Sequence, residues 1–140
     1  MTNTTPFSYI NSFLQVASVG MTKEAALETF GADRIAIKKQ HILKTDRGIC
    51  EGNEEGFIQV IYRKKNYEIL GATIVSPVAG ELIAEIGVAM KSHLTFDMLA
   101  TVMHTYPSHS FTLQAMAADV YYDKLAKSKR LLNFLKKIGL

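Results

Sequence analysis

Two apolar runs separated by a short polar turn constrain this chain more than anything else in it. Phe57-Ile58-Gln59-Val60-Ile61-Tyr62 is apolar on both faces of an extended strand, and Glu68-Ile69-Leu70-Gly71-Ala72-Thr73-Ile74-Val75 follows after Lys64-Lys65-Asn66. So short a turn joins antiparallel neighbours, and the two runs predict a hairpin. A strand without a polar face belongs inside a sheet covered on both sides, by helices or by a second chain. Gly71 has no side chain to pack, which predicts close approach by another backbone or side chain at that point.

The rest of the chain divides around the hairpin. Residues 1–15 mix polar and aromatic types around Pro6 and read as a lead-in segment, and Val16-Ala17-Ser18-Val19 suits a short strand. Thr22 as N-cap, Glu24 in the first turn and Gly31 as C-cap bound a helix over 23–30. Arg34-Ile35-Ala36-Ile37-Lys38 alternates as a strand with one buried face does. Residues 44–56, with Asp46, Gly48, Gly52, Asn53 and Gly56, read as a loose surface connection. After the hairpin, Ser76-Pro77 forms a cap and first-turn pair for a helix reaching His93. Thr95 can cap a short helix toward Met103, and Ser108 a longer one along which Phe111, Ala115, Ala118 and Tyr122 line one side. Residues 127–140 read as a separate basic amphipathic helix, with Leu131, Leu135 and Ile138 on one stripe and lysines opposite. Strands first and helices afterwards predict an α+β fold, an antiparallel sheet packed with helices, over residues 16–126.

With 140 residues, 48% of them hydrophobic, one domain can bury a core of its own. The apolar content exceeds what one small layer hides, which predicts a self-complementary homodimer interface. Its expected members are Leu82, Ile83, Ile86 and Met90 of one helix with Leu113, Met116 and Val120 of the next. Cys50 is alone, so the chain forms no internal disulfide and no Cys-x-x-Cys pair. None of the nine glycines builds a Gly-x-Gly-x-x-Gly or a Gly-Lys-Ser/Thr loop, which argues against a dinucleotide held by this chain alone. His104 and His109 stand five apart around Pro107 without further ligands, so no metal is expected. Ser108 and Ser110 lie near histidines, yet no Gly-x-Ser-x-Gly elbow holds them, and Ser108 is better used as a cap. Six cations from Lys124 to Lys137 follow Asp123 with no acid among them, and they account for the whole net charge of +3. Packing of that helix on its own domain is expected, with neither nucleic acid nor membrane as partner. Met1 to Ser8 has neither a basic cluster nor a long apolar core, so a soluble cytoplasmic protein is the expectation.

One stretch carries more specific information: His104-Thr105-Tyr106-Pro107-Ser108-His109-Ser110-Phe111. It resembles the signature loop in the C-terminal dimerisation domain of pyridine nucleotide-disulfide oxidoreductases, the family of dihydrolipoamide dehydrogenase, glutathione reductase and mercuric reductase. Four further segments match in order: the Val16-to-Ala25 entry, Gly56-to-Val60 and Ile69-to-Val75 of the hairpin, and Ala79-Gly80-Glu81-Leu82-Ile83 opening the long interface helix. The family's loop ends in His-Pro-Thr-x-x-Glu, whose histidine is oriented by the glutamate and serves the redox thiols of the other subunit. Here Tyr106 stands where that histidine would be and Phe111 where the glutamate would be, while His104 matches an earlier, non-catalytic histidine. Tyrosine before the proline is similar to mercuric-reductase-like branches. A phenol near its ordinary pKa of about 10 is a poor base at neutral pH, so the acid–base pair is absent. Leu14-Gln15 is another departure, where many relatives have Pro-Glu. The resemblance implies a detached or stand-alone dimerisation domain that is no enzyme by itself, with FAD and NAD(P) belonging to other domains of a parent enzyme. The rival expectation is a small-molecule-binding or catalytic protein that reuses the 104–111 loop.

Overall fold

The computed structural model describes residues 7–10, 14–52 and 55–137; of residues 7–10 and 131–137 only the backbone is considered. Five strands form one antiparallel sheet in the order β1-β2-β5-β4-β3. These are β1 (Phe7–Ile10), β2 (Gln15–Gly20), β3 (Ile35–His41), β4 (Phe57–Arg63) and β5 (Ile69–Ser76). The helices are α1 (Lys23–Phe30), α2 (Asp46–Glu51), α3 (Ala79–Lys91) and α4 (His109–Lys137), with a 3₁₀ segment at Phe96–Thr101. The predicted hairpin is β4 and β5, and the doubly apolar strand sits between two neighbours, as its composition demanded.

The sheet separates two cores of unequal size. On one face Ala17, Val19, Ile58, Val60, Ala72 and Ile74 meet α3, the 3₁₀ segment and α4 through Ile86, Phe96, Leu99 and Leu113. On the other, Ile61 and Ile35 meet Ala26 of α1, with Phe30 beside them. The alternation along β4 therefore serves both layers, since successive side chains point to opposite faces.

Local signals act as read for α1: Thr22 Oγ1 accepts from the Ala25 amide at 3.2 Å, and Gly31, at φ 81°, donates to Leu27. Gly71 does meet another backbone, because a Cβ there would run into the main chain of Met21. Elsewhere the structure corrects the reading. Part of the lead-in is strand β1, paired with β2 from Phe7↔Val19 to Ile10↔Val16; Pro6 lies outside the described residues. The supposed loose connection contains α2, capped by Thr45 Oγ1 on the Gly48 amide and closed by Gly52 at φ 66°. Those two caps are visible in the sequence, but Gly48 inside a six-residue helix masks them. Ser76 ends β5 and accepts from the Val78 amide at 3.0 Å instead of capping a helix. The start of α3 is served from across the sheet, where Gln15 Oε1 accepts from the Gly80 amide at 3.1 Å.

The turn that ends α3 has no cue in the sequence. His93 adopts φ 56° and donates to Met90, while Leu94 donates to Ala89. That pair of bonds is a Schellman closure with histidine in the position glycine usually takes. Finally, α4 is one helix of 29 residues rather than two, since nothing around Ala126-Lys127-Ser128 breaks it. Ile138 and the side chains of Leu131 and Leu135 lie outside the described residues.

Candidate functional site

The 104–111 loop crosses from the 3₁₀ segment to α4, and three of its side chains are each held by an acid from a different place in the fold. His104 places Nε2 2.6 Å from Glu85 Oε1 on α3 and Nδ1 2.8 Å from the Val102 carbonyl. The Tyr106 hydroxyl donates to Asp46 at the start of α2, and this bond pushes the phenol pKa above its ordinary 10.0. His109 Nε2 lies 2.9 Å from Glu51 at the end of α2. The helix missed in the sequence thus supplies two of the three anchors, and nothing local to Asp46 or Glu51 announces their distant partners.

Ser108 caps α4, as expected: its Oγ accepts from the Phe111 amide at 3.1 Å and donates to the Thr105 carbonyl at 2.5 Å. A hydroxyl whose single proton is held by a carbonyl has none to offer a histidine base. The Tyr106–Pro107 bond is cis. Tyr106 and Phe111, the two positions at which the sequence departs from His and Glu, meet edge-to-face with ring centroids 5.2 Å apart. The pair therefore keeps proximity and exchanges a proton-transfer contact for an aromatic one. Asp97, another conceivable partner for a triad, is instead buried under α4 and bonded to Lys124 and Thr95.

A cleft of about 180 Å³ lies beside the loop, lined by Gln40, Lys44, Asp46, Phe111, Thr112 and Asp119 among others. His104, Tyr106 and His109 do not line it. Among the described residues no group of three or more His, Cys, Asp or Glu side chains is placed to hold a metal, and no helix is long and apolar enough to cross a membrane.

The expected interface residues need correction. Leu82, Ile83, Ile86, Leu113, Met116 and Val120 are all 6% exposed or less within the single chain, and Met90 packs partly buried against the same core. Most of their surface holds α3 and α4 on the sheet, and of these residues Ile83 also lines the outward face of α3. Helical periodicity marks an apolar face without saying which body covers it. What α3 leaves outward is the strip Gly80, Glu81, Ile83, Ala84, Gly87, Val88 and Lys91, with Val88 66% exposed. Glu85, one turn from Val88, ties His104 down, which brings the loop with the 94% exposed Met103 alongside that strip.

Anchoring by Glu51 has a pH signature. The bond from His109 first, and Arg47 after it, hold the Glu51 carboxyl below its ordinary 4.5 against the opposing effect of partial burial. A lowered folded pKa means stabilisation present above the ordinary value and lost as pH falls through the folded one. Thermal melts followed by circular dichroism should therefore fall more steeply below about pH 4.5 for the wild type than for Glu51→Gln. Parallel curves would show the contact to be energetically idle.

The chain matches the family described as "Pyridine nucleotide-disulphide oxidoreductase, dimerisation domain" over residues 7–117. Leghemoglobin reductase of Glycine max is 36% identical over 110 residues, covering 79% of this chain and 20% of the relative. Mitochondrial dihydrolipoyl dehydrogenase of Pisum sativum is also 36% identical, over 79% of this chain and 21% of its own length. Among solved structures, the HOCl-induced flavoprotein disulfide reductase RclA of Escherichia coli, crystallised as a Cu(II) complex, superposes with a TM-score of 0.76 at 25% identity, over 83% of this chain and 26% of that one. LpdA of Mycobacterium tuberculosis, at 22% identity and TM-score 0.73 over 82% of this chain and 25% of its own, shares the fold. The chain thus spans about a fifth of the length of these curated relatives.

Proposed function

The chain belongs to the dimerisation-domain family of the pyridine nucleotide-disulphide oxidoreductases, and from that premise we propose that it is a self-association module, joining two copies about a twofold axis, rather than a catalyst. The match of residues 7–117 to a dimerisation domain carries this reading. A usable surface supports it: the outward strip of α3, where Ala84, Gly87 and Val88 are small enough for a second helix to approach closely, continued by Met103. In a twofold interface the strip meets its own copy, so each contact occurs twice.

The loop supports the non-catalytic half of the proposal. Where the family has a histidine and its orienting glutamate, this chain has Tyr106 and Phe111 in aromatic contact, and the Asp46 bond makes the phenol a still weaker acid at neutral pH. Within a full-length flavoenzyme, the Tyr106-Pro107 turn would be offered to the flavin pocket of the partner subunit as an apolar wall, since the phenol proton is held by Asp46. The cleft beside the loop, about 180 Å³, falls below the roughly 300–1,000 Å³ typical of drug-sized ligand sites, and no glycine-rich turn opens α3 or α4.

Sedimentation equilibrium at micromolar concentration tests the proposal. The expected species has twice the 15.6 kDa chain mass. Val88→Glu should weaken association roughly 100-fold while leaving the circular dichroism unchanged, because the position is already exposed in one copy and its charge is buried twice in the pair. A wild type that stays monomeric at tens of micromolar overturns the proposal.

A further inference from the structure

The far half of α4 departs from the packing expected of it. Leu113, Met116, Ala117 and Val120 bury the near half, and Lys124 makes its bond to Asp97. From Leu125 onward the helix leaves the body: every residue from 125 to 130 is exposed. The helix continues to Lys137, about 20 Å further on at 1.5 Å per residue. Its nucleation is already accomplished by the packed half, so continuing it requires no partner of its own.

We propose that this projecting segment docks the domain on an anionic lipid surface, lying in the plane of the interface rather than crossing it. Two features on one helix point to that occupant. Lys127, Lys129, Arg130, Lys136 and Lys137 follow without one acid, five cations beyond the one that Asp97 holds, and Lys129, Arg130, Lys136 and Lys137 fall on one side of a helix turning about 100° per residue. Leu125, 41% exposed, opens the apolar side, which the sequence continues at helical spacing with Leu131, Leu132 and Leu135, beside Phe134. A basic face and an apolar face on one exposed helix suit the boundary between headgroups and acyl chains. Lysine stems can follow the apolar face while their ammonium groups reach the phosphates.

The competing occupants each leave one feature unused. A second copy of the same segment would cover the leucines but set five cations against five, in either orientation. A nucleic acid would satisfy the cations and leave the leucines in water, with Phe134 the one aromatic beyond Tyr122 to stack on a base. The inference is independent of self-association through α3.

Co-sedimentation of the full chain with vesicles decides it. At about 0.1 M salt the protein should pellet with vesicles holding about 30% phosphatidylserine, stay in solution with pure phosphatidylcholine, and be released near 0.5 M salt. Lys129→Glu with Arg130→Glu should weaken binding at least about 25-fold, at roughly fivefold per cation removed. Leu132→Gln with Leu135→Gln, which keeps both charge and helix propensity, should weaken it about tenfold or more. Helix content and sedimentation mass, measured on each variant, show that fold and association are unchanged. Failure of the wild type to pellet with the anionic vesicles overturns the proposal. Undiminished binding by the glutamine variant, with release of the wild type from vesicles by duplex DNA, overturns it in favour of a nucleic-acid partner.

Discussion

Gly71→Ala should destabilise this protein by about 3–5 kcal/mol. The added methyl group would lie against the main-chain nitrogen and carbonyl of Met21, where no side chain can rotate aside. Gly71 is also locked on both sides, paired with Gly20 of β2 and Ile61 of β4, so the strand cannot retreat without breaking ladders to two neighbours. Overpacking of a core ordinarily costs about 1–3 kcal/mol, and a clash of backbone against backbone in a central strand belongs above that range, about 3–5 kcal/mol. Against a total stability of roughly 5–15 kcal/mol, that is a large share for a single methyl group. Gly52→Ala is the control: Gly52 has positive φ but nothing within 4 Å of the methyl group that alanine would add, so only the left-handed backbone opposes it, at about 1 kcal/mol. Urea titrations should separate the two variants clearly. Equal midpoints would show that the crossing of β5 by Met21 is looser than the geometry states.

Lys124→Met should be the next most damaging change. Asp97 has a side chain only 1% exposed and accepts from Thr95 Oγ1 and Lys124 Nζ, each at 2.6 Å. Removing the cation leaves a buried carboxylate with the threonine hydroxyl as its one remaining partner among the described residues. Breaking a fully buried pair costs about 3–5 kcal/mol, and because Lys124 is 43% exposed, water recovers part of the loss. The expectation is about 2–3 kcal/mol, near 10 °C in melting temperature for a chain of this size. Adding Asp97→Asn should return part of that, since an amide tolerates burial without a counter-charge; a double variant no better than the single one would contradict the argument. The bond to Asp97 also raises the Lys124 pKa above its ordinary 10.5. A raised folded pKa means stabilisation complete below the ordinary value and lost as pH climbs through the folded one. Alkaline melts above about pH 10.5 should therefore drop for the wild type and flatten for Lys124→Met.

The pieces of this fold that depend on neighbours in sequence were legible before any coordinates. Thr22 and Gly31 bound α1 where they stand, Ser108 caps α4, and the β4–β5 hairpin follows from its apolar runs and short turn. Each is a local event, decided by hydrogen bonds or side-chain alternation within a few residues. The family was legible for a related reason, because the signature loop and its flanking segments are contiguous strings.

Other assignments needed to know what lies across a gap in the chain. Leu82, Ile83, Ile86, Leu113, Met116 and Val120 have the spacing of a buried stripe, and only the packed structure says that their own sheet buries them. The far half of α4 has the same kind of stripe, and only the structure says that residues 125–130 are exposed. Glu85, Asp46 and Glu51 became anchors of the loop through contacts spanning 19, 60 and 58 positions, respectively. Sequence by itself determined which segments are apolar, where α1 and α4 begin, and which family these residues belong to. Tertiary structure alone decided which apolar faces are already covered and which charges meet, because burial and electrostatic pairing depend on distance in space, and a chain's spacing records only distance along itself.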